Sequence, residues 1–184
     1  MPDVRLLLDH VGADGDVGLV GHSFGGWTVL ATPETDARVA SIVAFAPAGA
    51  TNPRPGIIPP TLSFDWQREV PLLVVAGNCD VAVPLDRVRD VYERAPEPKR
   101  FVVLRGADHM HFVDDVADAH EQFRALPAEG DLAWIAEMRP IEELLAPEAA
   151  LRIVRGLTLA HFDATLRHDE DARKWLTAGP QARG

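Results

Sequence analysis

The chain has 184 residues, 47% of them hydrophobic and 25% charged, with a net charge of −10. That length fits one domain with a substantial buried core, and an acidic balance without any Lys/Arg cluster argues against nucleic acid or an anionic membrane as partner. The single cysteine, Cys79, excludes an internal disulfide and a Cys-based metal site, and no apolar run reaches the ~18 residues of a membrane span.

Residues 1–5 lack the basic start and long apolar core of a secretory signal, so a cytoplasmic location is expected. Residues 2–10 read as a helix, with Pro2 in the first turn and Val4, Leu7, Leu8 and Val11 on one face. A turn over 12–15 leads to a short buried strand at 16–20. Residues 27–31 are helix-compatible, and 39–45 form a second apolar strand. Residues 46–66 hold five prolines (47, 53, 55, 59 and 60) and little periodicity. This segment is expected to be a loop or lid, not a domain linker, because strand-helix alternation resumes after it.

Residues 71–77 give the strongest strand signal. A helix follows from Pro84 to about Arg94, with Val88 and Val91 inward, and a fourth strand spans 99–104. From Asp114 onward the chain is expected to be mainly helical. An amphipathic helix runs over 149–166 (Ile153, Leu157, Ala160, Ala164), and a last short helix over 169–178 carries Trp175 and Leu176. The expected architecture is a single α/β domain over 1–184, with a parallel sheet of about four strands and helices on both faces. Functional residues in such sheets gather just past the carboxyl ends of the strands.

Three of those strand ends carry reactive side chains. The first delivers Gly21-His22-Ser23-Phe24-Gly25-Gly26 between an apolar strand and a helix, the setting of a nucleophile elbow. Such a bend strains the serine backbone. It needs small neighbours, for which Gly21 and Gly25 are expected, with Gly26 giving room for strand-helix packing. It also aims the N–H of Phe24 at a developing oxyanion. The third strand end delivers Gly77-Asn78-Cys79-Asp80, and the fourth delivers Gly106-Ala107-Asp108-His109-Met110-His111.

In chain order these are Ser, Asp and His. A hydroxyl is a weak nucleophile at neutral pH, so a histidine must take its proton and return it to the leaving group. A carboxylate fixes the imidazole tautomer and stabilises the imidazolium. Ser23, His109 and Asp80 are the candidates, with Asp86 as a weaker acid; Asp80 alternatively caps the helix near Pro84. His111 is the other candidate base, and otherwise lines a pocket or pairs with Asp114 or Asp115. Asp108 is expected at the surface, His22 packed in the elbow, and His10, His120, His161 and His168 as ordinary helix residues. Trp27, Phe64 and Trp66 are candidates for a substrate pocket or the core, and Cys79 for a loop or core role. No His and carboxylate pair has metal spacing.

These three motifs resemble the nucleophile, acid and histidine loops of α/β-hydrolases, most like the dienelactone hydrolase, chlorophyllase and platelet-activating-factor acetylhydrolase branch. The likeness covers roughly residues 1–120, and the helix containing Gly156 to Phe162 is similar to that branch's closing helix. It implies a serine hydrolase of small to medium carboxylic esters, working through an acyl-enzyme without a cofactor. Within the same machinery, a peptidase or lactonase is the alternative.

Members of that family carry further strands before the elbow, one leading to the second oxyanion donor. Here a single helix precedes it. The expectation is therefore the C-terminal part of the fold, from an N-terminally truncated chain with the elbow strand at the sheet edge. Only Phe24 is then encoded for the oxyanion hole. A catalytically silent fragment or interaction module is the competing reading, and an exposed apolar edge favours homo-oligomers. Specificity is expected from residues 46–66 and from a helical stretch over 121–147.

Overall fold

The computed structural model describes residues 2–58 and 60–178; Pro59, one of the five loop prolines, lies outside them. Among the described residues there are four strands, β1 (Val17–His22), β2 (Val39–Phe45), β3 (Leu72–Gly77) and β4 (Lys99–Leu104). They lie in sequence order, and every neighbouring pair is parallel. β1 is an edge strand, bonded only to β2, with Gly18 opposite Ser41 and His22 opposite Phe45.

The apolar runs of β2 and β3 are continuous because both sheet faces are covered. Ile42, Ala44, Leu72 and Val74 pack with Leu30 of α2 (Phe24–Ala31) and Val88 and Val91 of α3 (Leu85–Arg94). Val43, Phe45, Leu73 and Val75 pack on the opposite face with Val154, Leu157 and Ala164 of α5 (Pro147–Leu166). α5 begins with Pro at its first position, where the missing N–H has no partner to lose. α6 (Glu170–Ala178) closes that side through Leu176.

α1 (Pro2–His10) buries Leu8, while Leu6, Leu7 and the following Val11 stay exposed. Helical spacing sets which residues share a face, not whether a partner covers it. Residues 121–147 are not a helical stretch: α4 (Val116–Arg124) stops early, and only two 3-10 segments, Gly130–Glu137 and Ile141–Glu143, follow. Pro127, Gly130 and Pro140 interrupt the pattern.

Those segments have their own apolar cluster. Trp134, Ile135 and Met138 pack with Ile57 of the Pro-rich loop and Ala82 behind Asp80. The Trp134 indole N–H donates to the Pro55 carbonyl at 3.1 Å, and Arg54 pairs with Glu137 at 2.8 Å. The Pro-rich loop and residues 130–138 thus form one cover beside the carboxyl end of β3. Among the described residues no helix is long and apolar enough to cross a membrane.

Candidate active site

Ser23 sits between β1 and α2 with φ 57° and ψ −118°, a conformation costly for a non-glycine residue. Three backbone bonds hold it there. Its N–H donates to the Phe45 carbonyl at 2.9 Å, and its own carbonyl accepts from Trp27 at 3.1 Å and Ala48 at 3.0 Å. A Cβ on Gly26 would stand 2.9 Å from Pro47 Cα, and one on Gly21 would collide with the Gly25 carbonyl. Gly25 itself is a correction: a Cβ there meets nothing within 4 Å. The elbow needs Gly21 and Gly26 to be bare, not Gly25.

The acid and histidine loops are laced together before their side chains meet. Cys79 N–H donates to the Ala107 carbonyl at 2.9 Å, and Gly106 N–H donates to Asn78 Oδ1 at 2.7 Å. Gly77 permits this approach, since a Cβ there would stand 2.4 Å from the Ala107 oxygen. Asp80 then spends Oδ1 on the N–H groups of Ala82 (2.9 Å) and Val83 (2.8 Å). The capping alternative is therefore half realised, on the turn ahead of α3. Oδ2 is left for His109.

His109 Nδ1 lies 2.7 Å from Asp80 Oδ2, and Nε2 lies 3.0 Å from Ser23 Oγ. With Nδ1–H donating to the carboxylate, Nε2 presents a lone pair to the hydroxyl. Asp80 and His109 are both buried. Burial opposes the charged form of His109, but the Asp80 charge and hydrogen bond, with Asp108 behind them, outweigh it and raise its proton affinity. His22 packs its ring 4.5 Å from that of His109. Burial, then the His109 charge, pushes His22 down to about 3, so it is a neutral packing partner. Phe24 opens α2, where the first amides of a helix have no carbonyl within it to bond.

Several surrounding residues differ from expectation. Asp108 is buried, not on the surface. His111 pairs with Asp108 at 2.6 Å, while Asp114 pairs with Arg155. His120 and His161 are buried as well. Phe123 places its ring 6.2 Å from His109 and 6.0 Å from Trp134, linking the cover to the histidine. His120 and Phe123 had been readable: they sit four and seven residues after Val116, on its face of α4. Trp66 is core, donating to the Leu30 carbonyl at 3.0 Å, and Phe64 packs beside it. Trp27 is partly buried and donates to Thr61. Cys79 is a free, partly exposed loop thiol, and Asp86 makes a surface contact with Arg87. No cluster of three or more His, Cys, Asp or Glu side chains with metal-binding geometry occurs among the described residues.

A groove of about 550 Å³ opens on the far side of His22, lined by Val20, Phe45, Phe112, Leu159 and Phe162.

Solved structures similar to this chain include proteins described as an esterase domain, a monoacylglycerol lipase and an alpha-beta serine hydrolase homologue. An esterase domain from Rhodothermus marinus is 22% identical, with a TM-score of 0.49 over 64% of this chain and 62% of that one. A monoacylglycerol lipase from Paleococcus ferrophilus is 20% identical, with a TM-score of 0.48 over 74% of each chain. An alpha-beta serine hydrolase homologue from Coxiella burnetii is 25% identical, with a TM-score of 0.40 over 59% of this chain and 48% of that one. The chain thus spans 62% of the length of the Rhodothermus domain and about half that of the Coxiella protein. No family profile and no curated protein matches it.

Proposed function

We propose that this chain is the part of an α/β-hydrolase that carries the nucleophile, acid and histidine, and that it hydrolyses a small to medium carboxylic ester. One observation carries the reading: Ser23 Oγ, the His109 ring and Asp80 form one hydrogen-bonded line at the carboxyl ends of β1, β3 and β4. Ser23 Oγ attacks the ester carbonyl carbon while His109 Nε2 takes its proton. The Phe24 N–H donates to the oxygen that becomes negative. As the tetrahedral intermediate collapses, His109 returns the proton to the leaving alcohol, and Ser23 holds the acyl group. Water then attacks the acyl carbon and gives its proton to His109, which passes it to Ser23 Oγ as the Ser23–acyl bond breaks and the carboxylic acid leaves. Acyl transfer of this kind calls on no cofactor.

Pockets for the acyl and alcohol groups are proposed beside the cover of residues 46–66 and 130–138, where Phe123 joins Trp134 to His109. The experiment is turnover of p-nitrophenyl esters of increasing acyl length by the wild type, Ser23→Ala and His109→Ala. Activity lost in both variants supports the reading. Equal hydrolysis by Ser23→Ala refutes it, and no turnover by the wild type favours a silent scaffold.

A further inference from the structure

The turn that carries His109 is built around a second buried carboxylate that the proposed reaction does not use. Asp108 is 3% exposed. Its Oδ1 accepts from the Met110 N–H at 3.0 Å and meets His111 Nδ1 at 2.6 Å, while Oδ2 meets His120 Nδ1 at 2.6 Å. His111 Nδ1 also accepts from the Asp108 backbone N–H at 3.0 Å, and Nε2 donates to the Leu145 carbonyl at 2.9 Å. Leu145 N–H in turn donates to the Gly106 carbonyl at 2.8 Å. One carboxylate therefore ties the histidine turn to α4 through His120, and to the segment before α5 through His111.

Packing alone gives no reason for this arrangement. Ala107, Phe112 and Val116 around it are buried apolar residues, and a buried charge is costly unless paired, where an apolar cluster is not. The carboxylate sits one residue from His109, with its charge adding to that of Asp80. The groups facing His109 are Ser23, Asp80, His22 and the Phe123 ring. Those facing Asp108 are His111 and His120, with Glu121 at 3.8 Å from His120 Nε2.

We propose that Asp108 is a positioning residue for His109: clamped by His111 and His120, it fixes the turn that aims the imidazole at Ser23 and adds negative charge behind it. This rests on the hydrolase reading, and its test separates the two. The rate of Ser23 labelling by a fluorophosphonate is measured against pH for wild type and Asp108→Asn. Asn keeps the shape and one acceptor but removes the charge. The acid limb is expected to move to lower pH by roughly 0.5–1 unit, with the plateau lowered several-fold. A folded Asp108→Asn protein with the wild-type midpoint overturns the proposal, whatever its plateau, because mere support of the turn leaves the midpoint in place.

If Asp108→Asn does not fold, His120→Phe and His120→Asn decide. Asn keeps a donor near Nδ1 and is expected to hold the wild-type rate, while Phe loses it several-fold. Equal rates in the two overturn the proposal. If the wild type is not labelled at all, the hydrolase reading fails instead, and positioning is read by NMR. The low-field Nδ1–H signal of His109 is then expected in the wild type and lost in Asp108→Asn; its persistence there overturns the proposal.

Discussion

A Cβ on Gly21 would stand 2.1 Å from the carbonyl oxygen of Gly25, whereas a Cβ on Gly25 would touch nothing within 4 Å. The two glycines of the elbow are therefore unequal. Gly21→Ala is expected to destabilise the fold by about 3 kcal/mol, since backbone must move to admit the methyl. Gly25→Ala is expected to stay within about 0.5 kcal/mol of the wild type. Urea midpoints of the two variants check this directly.

Asp80→Asn removes the acceptor that fixes the His109 tautomer but keeps an oxygen for the Ala82 and Val83 amides. The fold is expected to hold while kcat for an ester falls on the order of 10⁴-fold. Asp86→Asn, on an exposed surface contact with Arg87, is expected to leave kcat unchanged. Steady-state kinetics of the pair distinguish the two carboxylates.

Acidification is expected to destabilise the protein through His161. Burial, followed by the charge of Arg100, lowers His161 from 6.5 to about 4 in the folded state. Between those values the unfolded chain binds more protons, so stability rises with pH across the window and is lost below it. At pH 5 this one residue costs ~2 kcal/mol relative to neutral pH. His22, lowered to about 3, acts in the same sense. His109, raised, acts oppositely: its contribution is present at low pH and fades as pH rises through its folded value. Urea titrations at pH 7.5 and pH 5 should show a smaller loss in His161→Phe than in the wild type.

The open edge of β1 is proposed to pair with a second copy of the chain, extending the sheet. Val20, beside that edge, is 51% exposed. A net charge of −10 opposes such pairing, so salt should promote it. Sedimentation is expected to show dimer growing with ionic strength in the wild type and not in Val20→Lys. A protein that stays monomeric at every salt concentration counts against the pairing.

Much of this was legible in the residues themselves. β2 and β3 announced themselves because both of their faces are buried, which leaves unbroken apolar runs. Ser23, Asp80 and His109 were legible as candidates because each follows the carboxyl end of a strand in a parallel sheet. Asp108 was not. A lone acid in a loop reads as a surface residue, but His109–Phe112 is a 3-10 turn. A period of three brings Asp108 and His111 together and turns His109 away from them. The bare face of α1 was equally hidden, because no local pattern reveals what covers a helix.

Ser23 is the proposed nucleophile. Its most direct test is reaction of the protein with a fluorophosphonate, followed by intact-mass and peptide mass spectrometry. One adduct is expected, located on Ser23, and none in Ser23→Ala. An adduct on another residue, or equal labelling of Ser23→Ala, would contradict it.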